Sequence, residues 1–151
     1  MRRAGPEDAA EVARLLDAFN REFETPSPGV EVLTVRCRDL IRTGEMDVVL
    51  SPDAEAGVAV LRFRRSLWDE SEAALDAYLE ELYVVPGRRR RGLGRALLEE
   101  AGAVAGEKGA VRIELGTSVD DHAAIALYES AGYTNEEGPG GPSMLFYERE
   151  L

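Results

Sequence analysis

The chain has 151 residues and a formal net charge of −11, from 18 basic and 29 acidic residues. That length suits one domain with a single core, and the negative balance argues against nucleic acid as a partner, because a phosphate backbone is held by distributed positive charge. No apolar run approaches the ~20 residues that cross a membrane, MRRAGPEDAAE at the N-terminus has no apolar signal core, and a lone cysteine, Cys37, excludes an intrachain disulfide and a multi-cysteine metal site; a cytoplasmic protein without a metal is expected.

Arg2 to Ala4 reads as a short first strand. Pro6-Glu7-Asp8 opens a helix whose first-turn acids suit the macrodipole, and Val12, Leu15, Leu16, Phe19 and Phe23 recur at three- and four-residue intervals as its core face. Thr25-Pro26-Ser27-Pro28-Gly29 is a break. Val30 to Ile41 reads as a second helix with Val32, Val35, Leu40 and Ile41 as its stripe, although its β-branched residues pull towards strand. Cys37 inside it is a small hydrophobe, and Thr43-Gly44 ends it. Met46–Leu50 and Gly57–Phe63 are two strands joined across the turn 51–56, a hairpin by spacing. The polar loop from Ser66 to Ala74 holds the only tryptophan, Trp68, which is either a site wall or a cap on the core.

The most informative stretch runs from Tyr78 to Ala105. A strand, Ala77–Val85, ends at Pro86, which cannot donate to a ladder. A loop with four consecutive arginines, Arg88 to Arg91, follows. It leads into a helix with Leu93, Leu97, Leu98, Ala101, Val104 and Ala105 on one face. Gly92 and Gly94 carry no Cβ, so a ligand can approach the first amides of that helix, and free N–H groups beside guanidiniums make an anion site suited to a diphosphate. Further on, Val111, Ile113 and Leu115 alternate with Arg112 and Glu114 as a half-buried strand. Asp120-Asp121 precedes a helix with Ala124, Leu127, Tyr128 and Ala131 on one side, ended by Gly132. A strand from Tyr133, a Gly-Pro-rich loop at 136–142 and a last strand, Ser143–Tyr147, complete the chain. His122 reads as a capping or surface residue.

Two nucleotide motifs are excluded. A Walker loop needs Lys and then Ser or Thr after its second glycine, where this chain has Arg95; the dinucleotide fingerprint needs a glycine where this chain has Leu97. What remains, Arg89-x-x-Gly92-x-Gly94 between a strand and a helix, resembles the pyrophosphate loop of the GNAT superfamily of acyl-CoA-dependent N-acetyltransferases. Residues 124–133, AIALYESAGY, resemble the last conserved helix of the same superfamily, with Asp121 where an Asn is usual. The Asp120-Asp121 pair and Phe19-Asn-Arg-Glu-Phe23 are similar to small aminoglycoside 3-N-acetyltransferases, and the string from Tyr78 to Val84 is similar to diamine acetyltransferases.

The resemblance implies a single α/β (α+β) domain over residues 1–151: a mixed, mostly antiparallel sheet of six to seven strands with about four helices, splayed between Ala77–Val85 and Val111–Leu115. It implies acetyl-CoA as co-substrate, held by main-chain groups of Leu82, Tyr83 and Val84 and by Arg89, Arg90, Arg91, Gly92, Leu93, Gly94 and Arg95. The amine to be acetylated, with a pKa of ~10.4, sits some three units from neutral at pH 7, a deficit of roughly 4 kcal/mol, so a base is needed. Glu80, by the diamine register, is favoured; Glu81, by the aminoglycoside register, is the close alternative, since neighbours in a regular strand face opposite ways. Tyr128 would protonate the departing thiolate. Residues 24–31 are either a substrate lid or a plain connection. Acidic residues Glu24, Asp69, Glu70, Glu72, Asp120 and Asp121 suggest a small cationic acceptor, an aminoglycoside or polyamine, and the resemblance allows a homodimer. A protein or peptide N-acetyltransferase and a non-catalytic acyl-CoA sensor are the alternatives.

Overall fold

Among residues 1–67, 69–71, 73–147 and 149, which the computed structural model describes, five strands and four α-helices form; Trp68 and Glu72 lie outside the described residues. In chain order they are β1 (Arg2–Arg3), α1 (Ala9–Glu22), α2 (Val30–Thr43), β2 (Met46–Leu50), β3 (Gly57–Arg65), β4 (Leu75–Val84), α3 (Leu93–Glu107), β5 (Ala110–Glu114) and α4 (His122–Ser130). They belong to two compact units, Met1–Leu115 and Gly116–Leu151.

In the first unit the strands lie in the order β1-β2-β3-β4-β5, antiparallel except for the parallel pair β4–β5. Alternation along β2 and β3 sends Met46, Val48, Leu50, Val58 and Val60 to one face, where they form a buried cluster with Ala9, Val12 and Leu15 of α1, Cys37 of α2 and Tyr83 of β4. Helix α3 packs against the sheet through Leu97, Leu98, Ala101, Val104 and Ala105, at the spacing read from the sequence. Gly57 permits that approach: a Cβ there would stand 2.9 Å from Leu97 Cδ1 and 2.8 Å from the Tyr83 carbonyl.

Three sequence expectations shift. Helix α2 buries Cys37 and half-buries Leu33, Leu40 and Ile41, while Val32 and Val35 of the expected stripe are exposed. A β-branched residue costs a helix only a few tenths of a kcal/mol, so the valines do not stop the segment from being helical. Thr34 answers its own strand preference locally, its Oγ1 donating to the Val30 carbonyl at 2.7 Å. Phe23, expected on the core face of α1, is exposed and leans on Phe19 with ring centroids 4.9 Å apart. Val111 is exposed too, on a strand that forms an edge of the sheet.

The second unit contains α4, which has no buried residue. The two strands expected from Tyr133 and over Ser143–Tyr147 do not form among the described residues, so the sheet has five strands and not six or seven. A single antiparallel bridge joins Glu136 and Ser143. Pro139 and Pro142 supply no N–H between them, and the glycines curl the chain into a turn closed by Glu137 N–H on the Pro142 carbonyl at 2.9 Å. No helix among the described residues is long and apolar enough to cross a membrane.

Candidate active site

The site is built on the second half of β4. This strand pairs with β5 only through Leu75, Asp76, Ala77 and Tyr78, opposite Ala110, Arg112, Ile113 and Glu114. From Leu79 to Val84 its outer edge has no strand partner among the described residues. The two strands therefore part where the sequence reading placed a splay. An open edge offers a row of backbone donors and acceptors that another extended chain can join.

The inner edge carries a bulge. Val60 lies opposite Glu81 and Leu61 opposite Leu79, which leaves Glu80 as the extra residue. The bulge resets the alternation, so Glu81, across from Val60, joins the face that carries Val58 and Tyr83. Glu80 is exposed and Glu81 half-buried. Burial, with the Glu80 charge adding to it, pushes the Glu81 carboxyl up to about 7. The Cys37 thiol, buried in α2, is also raised, first by burial and then by the Glu80 charge, so this acid is felt across the same layer.

Beyond β4 a 3₁₀ turn, Pro86–Arg88, leads into the arginine loop. Arg90 takes a left-handed backbone, φ 62°, which costs a non-glycine residue about 1 kcal/mol, and Gly92 follows at φ 80°. Helix α3 then begins with no side-chain cap and no acid in its first turn. Its first bond is Ala96 N–H to the Gly92 carbonyl, which leaves the amides of Leu93, Gly94 and Arg95 to partners outside the helix. Arg88 pairs with Asp53 at 3.1 Å and Arg95 with Glu99 at 3.6 Å, whereas Arg90 and Arg91 have no ion-pair partner among the described residues.

Arg89 differs from its neighbours. Its Nε donates to the Val84 carbonyl at 2.7 Å and its Nη2 lies 2.7 Å from Oε1 of Glu22. Tyr83, buried in β4, donates its hydroxyl to the same carboxylate at 3.0 Å. Burial and Glu22 both push the Tyr83 phenol up.

In the second unit, Asp121 caps α4, its Oδ1 accepting from Ala124 N–H at 3.0 Å. An Asp serves that duty as well as an Asn would. Tyr128 is half-buried with its ring centroid 6.0 Å from that of Tyr133, and Asp120 and His122 are exposed. Glu24, two residues past the end of α1, is exposed. No group of three His, Cys, Asp or Glu residues gathers as a metal site among the described residues.

The model of the acetyltransferase (GNAT) family matches residues 12–133. The chain belongs to that family. It is 34% identical over 80 residues to a thialysine N-epsilon-acetyltransferase of Caenorhabditis elegans, a match covering 53% of this chain and 48% of that protein, so the chain spans about half that relative's length. It is 29% identical over 138 residues to an aminoglycoside N(6')-acetyltransferase type 1 of Stenotrophomonas maltophilia, covering 91% of this chain and 87% of that one. Among solved structures, a candidate acetyltransferase from Arthrobacter sp. FB24 is similar with a TM-score of 0.89 at 41% identity, covering 99% of this chain and 94% of that one.

In this member of the GNAT family the first unit brings together Glu80, Glu81, Leu82, Tyr83, Val84 and the run from Arg89 to Arg95 as one strand–loop–helix segment. Asp120, Asp121 and Tyr128 belong to the second unit. Two features escaped the sequence reading: the bulge at Glu80 and the carboxylate of Glu22 on Arg89. Glu22 stands 67 residues from its partner, a separation at which no local pattern signals pairing.

Proposed function

We propose that residues 1–151 work as one domain that transfers an acetyl group from acetyl-CoA to a primary amine of a small cationic acceptor of the aminoglycoside or polyamine type. The observation that carries this reading is the open edge of β4 from Leu79 to Val84, running into a loop with two arginines that have no ion-pair partner among the described residues and into a helix without a side-chain cap. A pantetheine arm fits the edge, and a diphosphate fits Arg90, Arg91 and the amides of Leu93, Gly94 and Arg95. Acetyl-CoA supplies the activated acyl group.

The chain's own residues move the protons. Glu81 takes a proton from the acceptor's ammonium, directly or through water, which frees the lone pair of the neutral amine; that amine attacks the thioester carbonyl, and its second proton passes to solvent as the C–S bond breaks. Tyr128, by its motif position, gives one to the departing thiolate. Support for Glu81 over Glu80 lies in its carboxyl at about 7, against an ordinary value of 4.5. The smaller gap to an amine near ~10.4 takes roughly 3 kcal/mol off the proton transfer, before solvent screening reduces it, while only about half of the base is lost to protonation at pH 7. Exposed Glu24 and Asp120 are the acids for the acceptor's other cations; Asp121 is engaged as a cap. The aminoglycoside relative supports the acceptor class.

The test is CoA release from acetyl-CoA over a panel of aminoglycosides, polyamines and amine-bearing peptides. Turnover with one small-amine class, with the KM for acetyl-CoA raised ~10-fold or more in Arg90→Ala/Arg91→Ala, supports the proposal. Turnover on peptides alone moves the acceptor to proteins. Binding of acetyl-CoA without turnover on any amine makes the protein a sensor, and absence of binding removes the proposal.

A further inference from the structure

Three elements meet at one carboxylate. Glu22 is the last residue of α1, Tyr83 lies at the open end of β4, and Arg89 is in the loop that follows. The Tyr83 hydroxyl and Arg89 Nη2 both donate to Glu22 Oε2, at 3.0 and 2.8 Å, and Nη2 also reaches Oε1 at 2.7 Å. Arg89 Nε is taken by the Val84 carbonyl at 2.7 Å, and the guanidinium carbon stands 5.7 Å from the Tyr83 ring centroid. Tyr83 is 4% exposed, so its hydroxyl depends on a protein partner. Arg89 has thus lost its rotamer freedom ahead of any ligand, in contrast to Arg90 and Arg91.

Two roles are open to a carboxylate in that place. It can compete with an incoming diphosphate for Arg89, or it can hold Arg89 ready. The geometry favours the second. A guanidinium has three nitrogens; one is on Val84, one is on Glu22, and neither of these bonds uses Nη1. Fixing two corners of a planar fork aims the third, and an arginine immobilised beforehand loses less entropy on binding.

We propose that Glu22 is a positioning residue of the cofactor loop, holding Arg89 against Tyr83 so that Nη1 of Arg89 is presented to the diphosphate of acetyl-CoA. The same contact fastens the end of α1, from which residues 24–31 depart, to the cofactor loop. The inference rests on the function proposed above.

A double-mutant cycle tests it, with CoA as the probe and its Kd measured by calorimetry on wild type, Glu22→Ala, Arg89→Ala and the double variant. Glu22→Ala raises the Kd ~5–10-fold and the KM for acetyl-CoA with it, while kcat at saturation is unchanged. In the Arg89→Ala background the same change has no further effect. Glu22→Gln, which keeps an acceptor oxygen of the same size, recovers part of the affinity and carries the cycle alone if the alanine variant does not fold. Tighter CoA binding in Glu22→Ala would show competition and overturn the inference, as would effects of the two substitutions that simply multiply. Wild type that binds no CoA overturns the proposed function, and this inference with it; a failed cycle in a protein that binds CoA overturns only the role of Glu22.

Discussion

The two halves of β4 each carry an acidic residue away from bulk water and treat it in opposite ways. In the first half, paired on both edges, Asp76 is held by Arg112 Nε at 2.7 Å and by Arg64 Nε at 3.6 Å, and these cations keep its carboxyl below the usual range. In the second half, with its outer edge open, Glu81 has an acid for a neighbour and is pushed up to about 7. The lesson is that burial alone does not mark a catalytic acid. A carboxylate with cations around it is fixed in one charge state and serves the fold, whereas one buried beside a like charge sits where it can exchange a proton at neutral pH.

The sharpest way to break this contrast is Glu81→Gln. At pH 7 it lowers kcat/KM by ~10²–10³, the range of a lost general base. The wild-type kcat/KM falls tenfold per pH unit below about 7, as Glu81 takes up its proton, and a pH–rate profile of the Gln variant lacks that limb. If the limb persists in Glu81→Gln, the base is another group.

Stability reads the two halves with opposite signs. The folded state binds the Glu81 proton more tightly than the unfolded chain does, so this residue makes stability fall as pH rises from about 4.5 to about 7 and leaves it level above. Glu81→Gln removes that fall, a difference of about 1 kcal/mol between pH 5 and pH 8 after screening, measurable by urea titration. Asp76 contributes stability above the ordinary carboxyl range, lost as pH falls through its depressed pKa. Asp76→Asn therefore lowers Tm at pH 7 and leaves the Kd for CoA unchanged; a weakened Kd would mean that the paired half also serves the cofactor.

The smallest effect belongs to Glu80→Gln. Its side chain is exposed, so kcat/KM changes less than ~3-fold at pH 7. Because the Glu80 charge raises Glu81, the acid limb moves to lower pH. A large loss in Glu80→Gln with little in Glu81→Gln would exchange their roles.

Much of this was legible in the residues. The hairpin 46–63, the α3 face from Leu97 to Ala105 and the loop from Arg88 to Gly94 are local patterns, because helix and strand periods and glycine-bearing turns are decided within a few residues. Asp121 before an apolar run announced a helix start, and it caps α4. Half of the α2 stripe was legible, Leu40 and Ile41 packing on the core while Val32 and Val35 are exposed, because a period count does not tell a packed apolar residue from a solvent-facing one. The strands after Tyr133 failed because an apolar and aromatic run such as Met144–Tyr147 shows a capacity to pair, while pairing itself needs a partner edge and unbroken donors.

The sequence by itself determined the family and the order of the elements from β1 to α4, since motifs and periodic faces are set by a residue's own backbone and immediate neighbours. Tertiary structure alone decided which glutamate is half-buried, that β4 parts from β5 after Tyr78, and that Arg89 rests on Glu22. A bulge depends on the register of the opposing strand, an open edge on where two strands diverge, and an ion pair across 67 residues on how helix and sheet pack. None of these is a property of the segment in which its residues lie.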